Sequence, residues 1–296
     1  MLVYDDWRVR LYLQDNLSWL RQCADSCIDL VVASPPYDDL RSYSSKQIVG
    51  RDAWSMARFE LVARELGRVL KPGGVIVWNV NDSSTEGESG NSFRQALFFM
   101  EHCGLLLHDT MIYQKSNFSN PSTTRYHQVF EYVFILAKGR PKTFNPIKDR
   151  ENVYAGKQGS YGKNTVTQKD GSKKLRPQKI NTARGMRHNV WLMPTAGQTG
   201  ESRKYLHPAM FSLQFAKDHI ASWSNPGDIV LDPFMGSGTT ACAALSVNRK
   251  VIGVEVSADY VNIQLQRMLD WREASASKLT ARLRHAYALK AASRCG

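Results

Sequence analysis

Two glycines and two acidic residues in the last third of the chain have the types and spacing of a nucleoside-binding loop. The segment Asp232-x-x-x-Gly236-x-Gly238 joins an apolar run to a helical pattern. Glycines let the backbone turn sharply and approach a ligand closely, and a helix N-terminus adds oriented N–H donors. Glu255 ends the next apolar run, where an acid can accept hydrogen bonds from both hydroxyls of a ribose. Since the spacing matches neither GxGxxG nor a P-loop, it favours a nucleoside-containing cofactor over a plain turn without identifying it.

A second motif, Ser34-Pro35-Pro36-Tyr37, closes another apolar run. Two prolines fix φ and remove two N–H donors, which leaves carbonyls as the available polar groups. The Ser34 oxygen and the Pro35 carbonyl are suited to accept the two N–H groups of a planar amine, with Tyr37 stacked on its ring. Such bonds draw the nitrogen lone pair out of conjugation, as attack on a methyl sulfonium requires. An ordinary strand-ending turn is the alternative.

Alternating strand and helix patterns surround both motifs and predict an α/β doubly wound sheet. Short apolar, β-branched runs predict the strands, and apolar residues at helical spacing predict the helices. The predicted strands are 28–33, 75–80, 105–113, 128–137, 229–232 and 250–256, and the predicted helices are 54–70, 92–103, 208–222, 239–246 and one from 259.

The positive charge of the chain is concentrated in one segment. The net charge is +12, and residues 138–204 alone hold 16 Lys and Arg against four acids. The same segment is poor in apolar periodicity. A basic insert on a neutral body is the electrostatic signature of a polyanion-binding surface, although charge runs are also common in solvated loops.

Composition excludes several classes of protein. Hydrophobic residues make up 43% and charged residues 22% of the chain, which excludes wholesale disorder. No apolar run reaches about 18 residues, so no membrane helix is expected. Residues 1–19 mix charges into apolar positions, which disfavours a signal peptide. Five scattered cysteines predict reduced thiols and a cytoplasmic location, and no Cys or His pair has the spacing of a metal site.

Together these residues resemble the amino-methylating DNA methyltransferases, which methylate adenine N6 or cytosine N4. Ser34–Tyr37 matches that family's Asp/Asn/Ser-Pro-Pro-Tyr/Phe motif, and Asp232–Gly238 matches its Asp-Pro-Phe-x-Gly-x-Gly loop. The order of catalytic motif, insert and cofactor loop resembles the permuted β class. Supporting similarities at Tyr12–Asp15, Leu66–Gly74 and His207-Pro208 extend the resemblance over most of the chain except the insert. It implies a Rossmann-like, seven-stranded, mostly parallel sheet with helices on both faces and a reversed edge strand.

The resemblance also implies S-adenosylmethionine as cofactor and roles for individual residues. Ser34, Pro35, Pro36 and Tyr37 would hold a base flipped out of the duplex. Glu255 would hold the ribose, Asp15 would contact the cofactor adenine, and Asp232 would orient the loop or the methionine ammonium. The full set of expected cofactor contacts is Asp15, Ser34, His207, Asp232, Phe234, Gly236, Ser237, Gly238, Thr239 and Glu255.

The resemblance divides the chain into four segments: a catalytic half (1–137), a target-recognition insert (138–205), a cofactor-binding half (206–271) and a basic tail (272–296). Base reading in DNA uses Arg, Lys, Asn and Gln at base edges, with phosphate contacts for register. The insert supplies such side chains, and the expected DNA-binding residues are Arg176, Lys179, Asn181, Arg184, Arg187, His188 and Asn189.

The target base and the partners are less constrained. Serine in the first motif position more often accompanies cytosine N4, but the stretch Ser34–Tyr43 resembles solitary adenine enzymes, so adenine N6 is expected and cytosine N4 stays open. Double-stranded DNA and a homodimer are the expected partners, and a restriction endonuclease partner is left open. Three rivals remain: an RNA or protein methyltransferase, a DNA-binding module without activity, and a nicotinamide dehydrogenase, because fold alone does not fix function.

Overall fold

A computed structural model of the chain describes residues 1–36, 54–83, 87–118, 121–157, 165–175, 180–195, 197–200 and 211–274. Tyr37, Arg176, Lys179 and His207 therefore lie outside the described residues, as does the predicted tail from 275 onward. The chain divides into two compact units, one formed by residues 1–144 and 190–296 and the other by residues 145–189.

The larger unit contains one sheet and the helices that pack on it. The strands along the chain are β1 (Leu2–Asp6), β2 (Val9–Leu13), β3 (Ile28–Ala33), β4 (Leu70–Val80), β5 (Leu106–Lys115), β6 (Phe130–Ala137), β7 (Arg150–Glu151), β8 (Thr165–Thr167), β9 (Lys173–Leu175), β10 (Arg184–Gly185), β11 (Val190–Met193), β12 (Ile229–Asp232) and β13 (Lys250–Glu255). The helices are α1 (Asn16–Leu20), α2 (Met56–Val69), α3 (Asn91–His102), α4 (Leu213–Trp223), α5 (Thr239–Ser246) and α6 (258–274).

The main sheet has nine strands in the order β1-β2-β13-β12-β3-β4-β6-β5-β11. Five neighbouring pairs are parallel, and three pairs, β1 with β2, β4 with β6 and β6 with β5, are antiparallel. The predicted α/β class and mostly parallel sheet are confirmed. The predicted count of seven strands is too low, because β1 and β11 extend the sheet at its two edges. β1 is a reversed edge strand, and β6 is reversed inside the sheet.

Two layers of helices cover this sheet. Ile76, Trp78 and Val80 alternate along β4 and lie in the core cluster formed with α1, α2 and α3. Val75 and Val77 are equally buried, and strand geometry turns them to the opposite face. On β5 and β11 the rings of Tyr113 and Trp191 pack against α4. β3 is buried along its whole length, as expected of a central strand in such a sheet.

Helix α2 shows how local sequence sets the element beside the site. Ser55 caps its N-terminus by accepting the Arg58 N–H at 3.2 Å. Phe59, Val62 and Leu66 are fully buried at helical spacing, so packing of this face stabilises the helix. Its bounds agree with the predicted helix 54–70 to within two residues.

Two boundaries differ from the sequence prediction. Residues 190–193 fall in the predicted insert, but they form β11, which pairs in parallel with β5 from Ile112 to Lys115. Helix α4 begins at Leu213, where Ser212 caps it, whereas the predicted helix begins at 208. The 138–144 part of the predicted insert also belongs to the larger unit.

The smaller unit, residues 145–189, is built from short pairings. β7 pairs with β10, and β8 pairs with β9, both antiparallel. The β8–β9 hairpin turns through Gln168–Ser172, where Asp170 accepts the Ser172 N–H at 2.9 Å. Within the parts of the chain that the structure describes, no helix is long and apolar enough to cross a membrane.

Candidate active site

The two predicted motifs lie at the same edge of the sheet. β3 leads into Ser34 and β12 ends at Asp232, and these two strands are parallel neighbours. β13 pairs in parallel with β12 on its other side and ends at Glu255. Because parallel strands share one carboxyl edge, Ser34, Asp232 and Glu255 emerge side by side, where open α/β sheets bind their ligands.

Asp232 fixes both ends of the glycine loop. Its Oδ1 accepts the Phe234 N–H at 3.0 Å, and its Oδ2 accepts the Thr240 hydroxyl at 2.5 Å. The side chain is buried, with 2% exposure. Burial raises the pKa of Asp232 to about 7, and the nearby Glu255 carboxylate adds to the rise while the two hydrogen bonds oppose it.

The loop backbone depends on its glycines. Gly236 has φ of 51° and Gly238 has φ of 87°, values in the left-handed region. Gly238 also precedes the first residue of α5 and has no side chain to cap that helix. The N–H groups at the start of α5 and the loop backbone are the groups available to a ligand here.

Glu255 braces the same loop from the neighbouring strand. Its Oε2 accepts the Gly236 N–H at 2.8 Å, and its Oε1 accepts the N–H groups of Val256 at 3.0 Å and Ser257 at 2.9 Å. Burial raises the pKa of Glu255, against the effect of these three bonds. An ionised carboxylate offers about four acceptor positions. One therefore remains for a ligand hydroxyl, whereas the sequence suggested that both ribose hydroxyls would bind.

The side chains of Ser237 and Thr239 are occupied from within the fold. Arg267 of α6 donates to Ser237 Oγ at 3.2 Å, to Thr239 Oγ1 at 3.2 Å and to the Ser237 carbonyl at 3.1 Å. Gln264, one turn earlier, donates to the Gly236 carbonyl at 2.7 Å. The predicted roles of Ser237 and Thr239 therefore fall to their backbone rather than to their side chains.

The predicted segment after β2 lies beside the glycine loop. Asp15 caps α1 by accepting the Ser18 N–H at 2.8 Å, and its other oxygen is paired with Arg58 of α2. Asn16 donates to the Pro233 carbonyl at 3.3 Å. The Asp15 carboxylate is thus engaged in two structural contacts, and a ligand contact would have to share it.

Aromatic rings line the approach to the loop. The Phe234 ring lies 4.9 Å from that of Trp54 and 6.0 Å from that of Trp78, both edge to face. Trp54 precedes the cap of α2 and is not among the predicted site residues. Its position beside Phe234 comes from packing between distant segments, which no local pattern reveals.

Ser34 has polar neighbours that the sequence analysis did not select. Ser34 is half-buried, and Asn79 Nδ2 donates to its Oγ at 3.5 Å. The same amide donates to Glu131 Oε2 at 2.7 Å, and Glu131 forms an ion pair with Lys115. Both Asn79 and Glu131 interrupt apolar strands near this sheet edge, which was the available signal. Pro35 is buried and Pro36 is half-buried.

The predicted DNA-binding residues have different environments in the smaller unit. Arg184, His188 and Asn189 are exposed, and Asn181 is half-buried. Arg187 is paired with Asp149, with Nε at 3.2 and 3.0 Å from the two carboxylate oxygens, and this pairing lowers the pKa of Asp149. Arg187 is therefore engaged within its own unit rather than presented for base contacts. In the described ranges no cluster of three or more His, Cys, Asp or Glu could hold a metal.

Comparison with known proteins agrees with this geometry. A family model described as DNA methylase, for N6 and N4 methyltransferases, matches residues 28–266. The orphan methyltransferase M.BamHII of Bacillus amyloliquefaciens is 48% identical over 253 residues, which cover 83% of this chain and 91% of that protein.

Solved structures show the same fold. The cytosine-N4-specific PvuII DNA methyltransferase superposes with a TM-score of 0.62 at 20% identity, covering 87% of this chain and 85% of its own. A DNA modification methylase from Thermus thermophilus, solved as a complex with S-adenosyl-L-methionine, gives a TM-score of 0.54 at 20% identity, covering 89% and 95%. The chain therefore belongs to the N6/N4 family of DNA methylases, which are S-adenosylmethionine-dependent methyltransferases.

Proposed function

We propose that this chain methylates an exocyclic amine of a base in duplex DNA at the sheet edge formed by Ser34, Asp232 and Glu255. The observation that carries the proposal is the adjacency of β3 and β12, which brings the Ser-Pro-Pro turn beside the glycine loop. A methyl donor and an amine acceptor must approach within van der Waals contact. Neighbouring parallel strands supply that approach without any long connection.

The residues of the glycine loop fit S-adenosylmethionine. Gly236 and Gly238 leave the backbone open to close approach, and Glu255 has one acceptor position left for a ribose hydroxyl. Asp232 and Glu255 place negative charge near a ligand that carries a sulfonium and an ammonium. When bound, that cofactor supplies an electrophilic methyl group and leaves as S-adenosylhomocysteine. Contacts from Asp15, Phe234 and the loop backbone are part of this proposal, and so is a contact from His207.

On the acceptor side, Ser34 and Pro35 prepare the amine. One amine N–H donates to Ser34 Oγ and the other to the Pro35 carbonyl, so the nitrogen lone pair leaves ring conjugation and points at the methyl group. The nitrogen forms the new N–C bond with that lone pair. It then carries a proton acidic enough to be lost to water or a neighbouring oxygen, so no strong base is required beforehand. Tyr37 stacks on the ring of the target base in this proposal.

Adenine N6 remains the predicted target, with cytosine N4 as the alternative. A serine hydroxyl accepts from either exocyclic amine, so Ser34 does not choose between them. Discrimination depends on contacts to the ring edge, and the segment that follows Pro36 lies outside the described residues. The family itself contains enzymes for both bases.

The smaller unit is proposed to bind the DNA duplex. Its residues 145–189 include eleven Lys and Arg against three acids. Lys169, Lys173 and Lys174 are all exposed on the β8–β9 hairpin, and Arg184 is exposed on β10. Phosphate contacts of this kind supply register and most of the affinity, while base reading falls to fewer side chains. A homodimer and action in the cytoplasm complete the proposal.

Substitution of Ser34 tests the assignment. Ser34→Ala removes the acceptor for the amine, so methyl transfer to duplex DNA should fall about a hundredfold, as when one preorganised polar contact is removed from an active site. Nucleoside mass spectrometry of treated DNA measures the product, and calorimetry with S-adenosylmethionine serves as the control, since cofactor affinity should not change. Full methylation by Ser34→Ala would remove Ser34 from the site.

A further inference from the structure

Four side chains form a continuous polar chain along the carboxyl edge of the sheet, here called the Lys115–Ser34 relay. Lys115 ends β5 and is paired with Glu131, the second residue of the adjacent β6. Glu131 Oε2 accepts from Asn79 Nδ2 of β4 at 2.7 Å. The same nitrogen donates to Ser34 Oγ after β3 at 3.5 Å. The relay thus crosses four strands and ends on the residue proposed to hold the target amine.

The relay is buried. The side chains of Lys115 and Glu131 are 14% and 8% exposed, and Asn79 is 1% exposed. Removing a charged pair from water has a desolvation cost that its mutual attraction often does not recover, so such a pair is weak support for stability. β6 is otherwise the apolar run Phe-Glu-Tyr-Val-Phe-Ile-Leu-Ala. A charge at its second residue, at the sheet edge where the ligand binds, points to a role in the site rather than in the fold.

The chemistry of the four groups fixes the direction of the hydrogen bonds. The Lys115 ammonium can only donate, so it holds Glu131 as an ionised acceptor. Glu131 then requires the amide nitrogen of Asn79 on its side, which sets the orientation of that amide. The nitrogen has two hydrogens, one for Glu131 and one for Ser34 Oγ. Since the Asn79 amide takes one lone pair of the Ser34 oxygen, the target amine would donate to the second.

We propose that Glu131 and Asn79, with Lys115 as counter-ion, are positioning residues that orient the Ser34 hydroxyl for the target amine. The inference rests on the proposed function, in which Ser34 contacts that amine. An unanchored hydroxyl rotates among three staggered positions, and only some present a lone pair to the amine. The relay restricts that rotation before the base arrives, so its benefit appears in the transfer rate rather than in cofactor binding.

Glu131 variants test this in the full-length enzyme. The substrate is duplex DNA from a strain lacking the enzyme, with S-adenosylmethionine labelled on the methyl group, in single-turnover conditions. Glu131→Met removes the acceptor for Asn79 and should lower the rate roughly tenfold, as expected for residues coupled through one network. Glu131→Gln keeps an oxygen that accepts from Asn79 and should retain most of the rate. The Kd for S-adenosylmethionine should stay unchanged in both.

Two further variants separate orientation from general stability. Lys115→Met alone leaves a buried, unpaired Glu131, whereas Lys115→Met with Glu131→Gln restores a neutral acceptor and should recover the rate. Asp29→Asn is the matched control, because Asp29 is also a buried carboxylate held by lysines, Lys71 and Lys142 at 2.8 and 2.7 Å, but lies near the start of β3. It should change the melting temperature and leave the transfer rate of the folded enzyme unchanged.

A double-mutant cycle with Ser34→Ala decides through which residue the relay acts. If it acts through Ser34, Glu131→Met should cause almost no further loss in the Ser34→Ala background. An equal loss in both backgrounds, or a full rate for Glu131→Met beside a slow Ser34→Ala, would overturn the relay and keep the proposed function. A full rate for Ser34→Ala would overturn both.

Discussion

Two buried carboxylates, Asp232 and Glu255, hold the glycine loop in shape as well as facing the proposed cofactor position. Together they accept four backbone N–H groups and one hydroxyl. Their dual engagement means that substitution should affect stability and cofactor affinity at once. A matched surface variant is needed to separate the two.

Glu255→Gln should weaken both. The amide NH₂ of glutamine would face a backbone N–H in place of one carboxylate oxygen, so at least one of three hydrogen bonds is lost. The expected cost is about 1–3 kcal/mol of unfolding free energy, with cofactor affinity lower by about tenfold. Urea unfolding and calorimetry measure the two effects. Glu101→Gln on the exposed face of α3 should change neither, and wild-type cofactor affinity in Glu255→Gln would exclude Glu255 from the site.

Asp232 should give the fold an unusual pH dependence. Burial raises its pKa from 3.8 to about 7, so the folded state binds this proton more tightly than the unfolded state does. Its contribution to stability is therefore full below 3.8 and is lost as pH rises through about 7. Asp232→Asn should flatten the loss of unfolding free energy between about pH 5 and about pH 8, measured by urea titration. An unchanged pH profile would show that Asp232 is ionised throughout.

Sequence patterns identify the carboxylates of the site but not their partners. Asp232 and Glu255 each end an apolar run, so their position at a strand end follows from local pattern. Arg58 and Glu131 reach their partners Asp15 and Asn79 across 43 and 52 residues, through strand order alone. Nothing in the local sequence encodes such pairings. The engagement of Arg187 by Asp149 was hidden for the same reason.

At the scale of elements, the loop between β12 and α5 is the part most dependent on backbone conformation. Gly238 has φ of 87°, and a Cβ built there would lie 3.3 Å from Gln264 Cγ. Gly227 has φ of 88° with nothing within 4 Å of a built Cβ, and it lies before β12 at the opposite end of the strand. The two glycines share the same backbone strain and differ in their surroundings.

This pair allows a controlled test. Gly238→Ala and Gly227→Ala should each lower the unfolding free energy by about 1–2 kcal/mol, since both force a side chain into the left-handed region. Only Gly238→Ala should also lower affinity for S-adenosylmethionine, because it fills the loop and shifts Gln264. Equal cofactor affinity in the two variants would mean that the loop does not approach the cofactor.

Elements with a strong period were predictable, and short edge strands were not. α2 and β3 follow from apolar spacing and from a continuous β-branched run. β1 and β11 are five and four residues long, and their pairing with β2 and β5 depends on the completed sheet. Residues 190–193 follow a basic segment directly, so composition groups them with the insert.

At the scale of the whole molecule, charge separates the basic unit of residues 145–189 from a larger unit that is nearly neutral. Lys169, Lys173 and Lys174 are exposed on one hairpin of the basic unit. If they contact phosphates, replacing all three by Gln should make the plot of log K against log salt shallower by about 0.9 for each phosphate that is no longer neutralised. Fluorescence anisotropy with a duplex measures the slope, and cofactor affinity should stay unchanged. A wild-type slope would exclude the hairpin from the DNA interface.

Methylation of an exocyclic amine in DNA at Ser34 is tested most directly by nucleoside mass spectrometry. Duplex DNA from a strain lacking the enzyme is incubated with the full chain and S-adenosylmethionine, then digested to nucleosides. We expect N6-methyladenine, absent with Ser34→Ala, and N4-methylcytosine would support the same chemistry with the other target base. Bound cofactor with no methylated amine, or methylation at a ring carbon, would contradict this function.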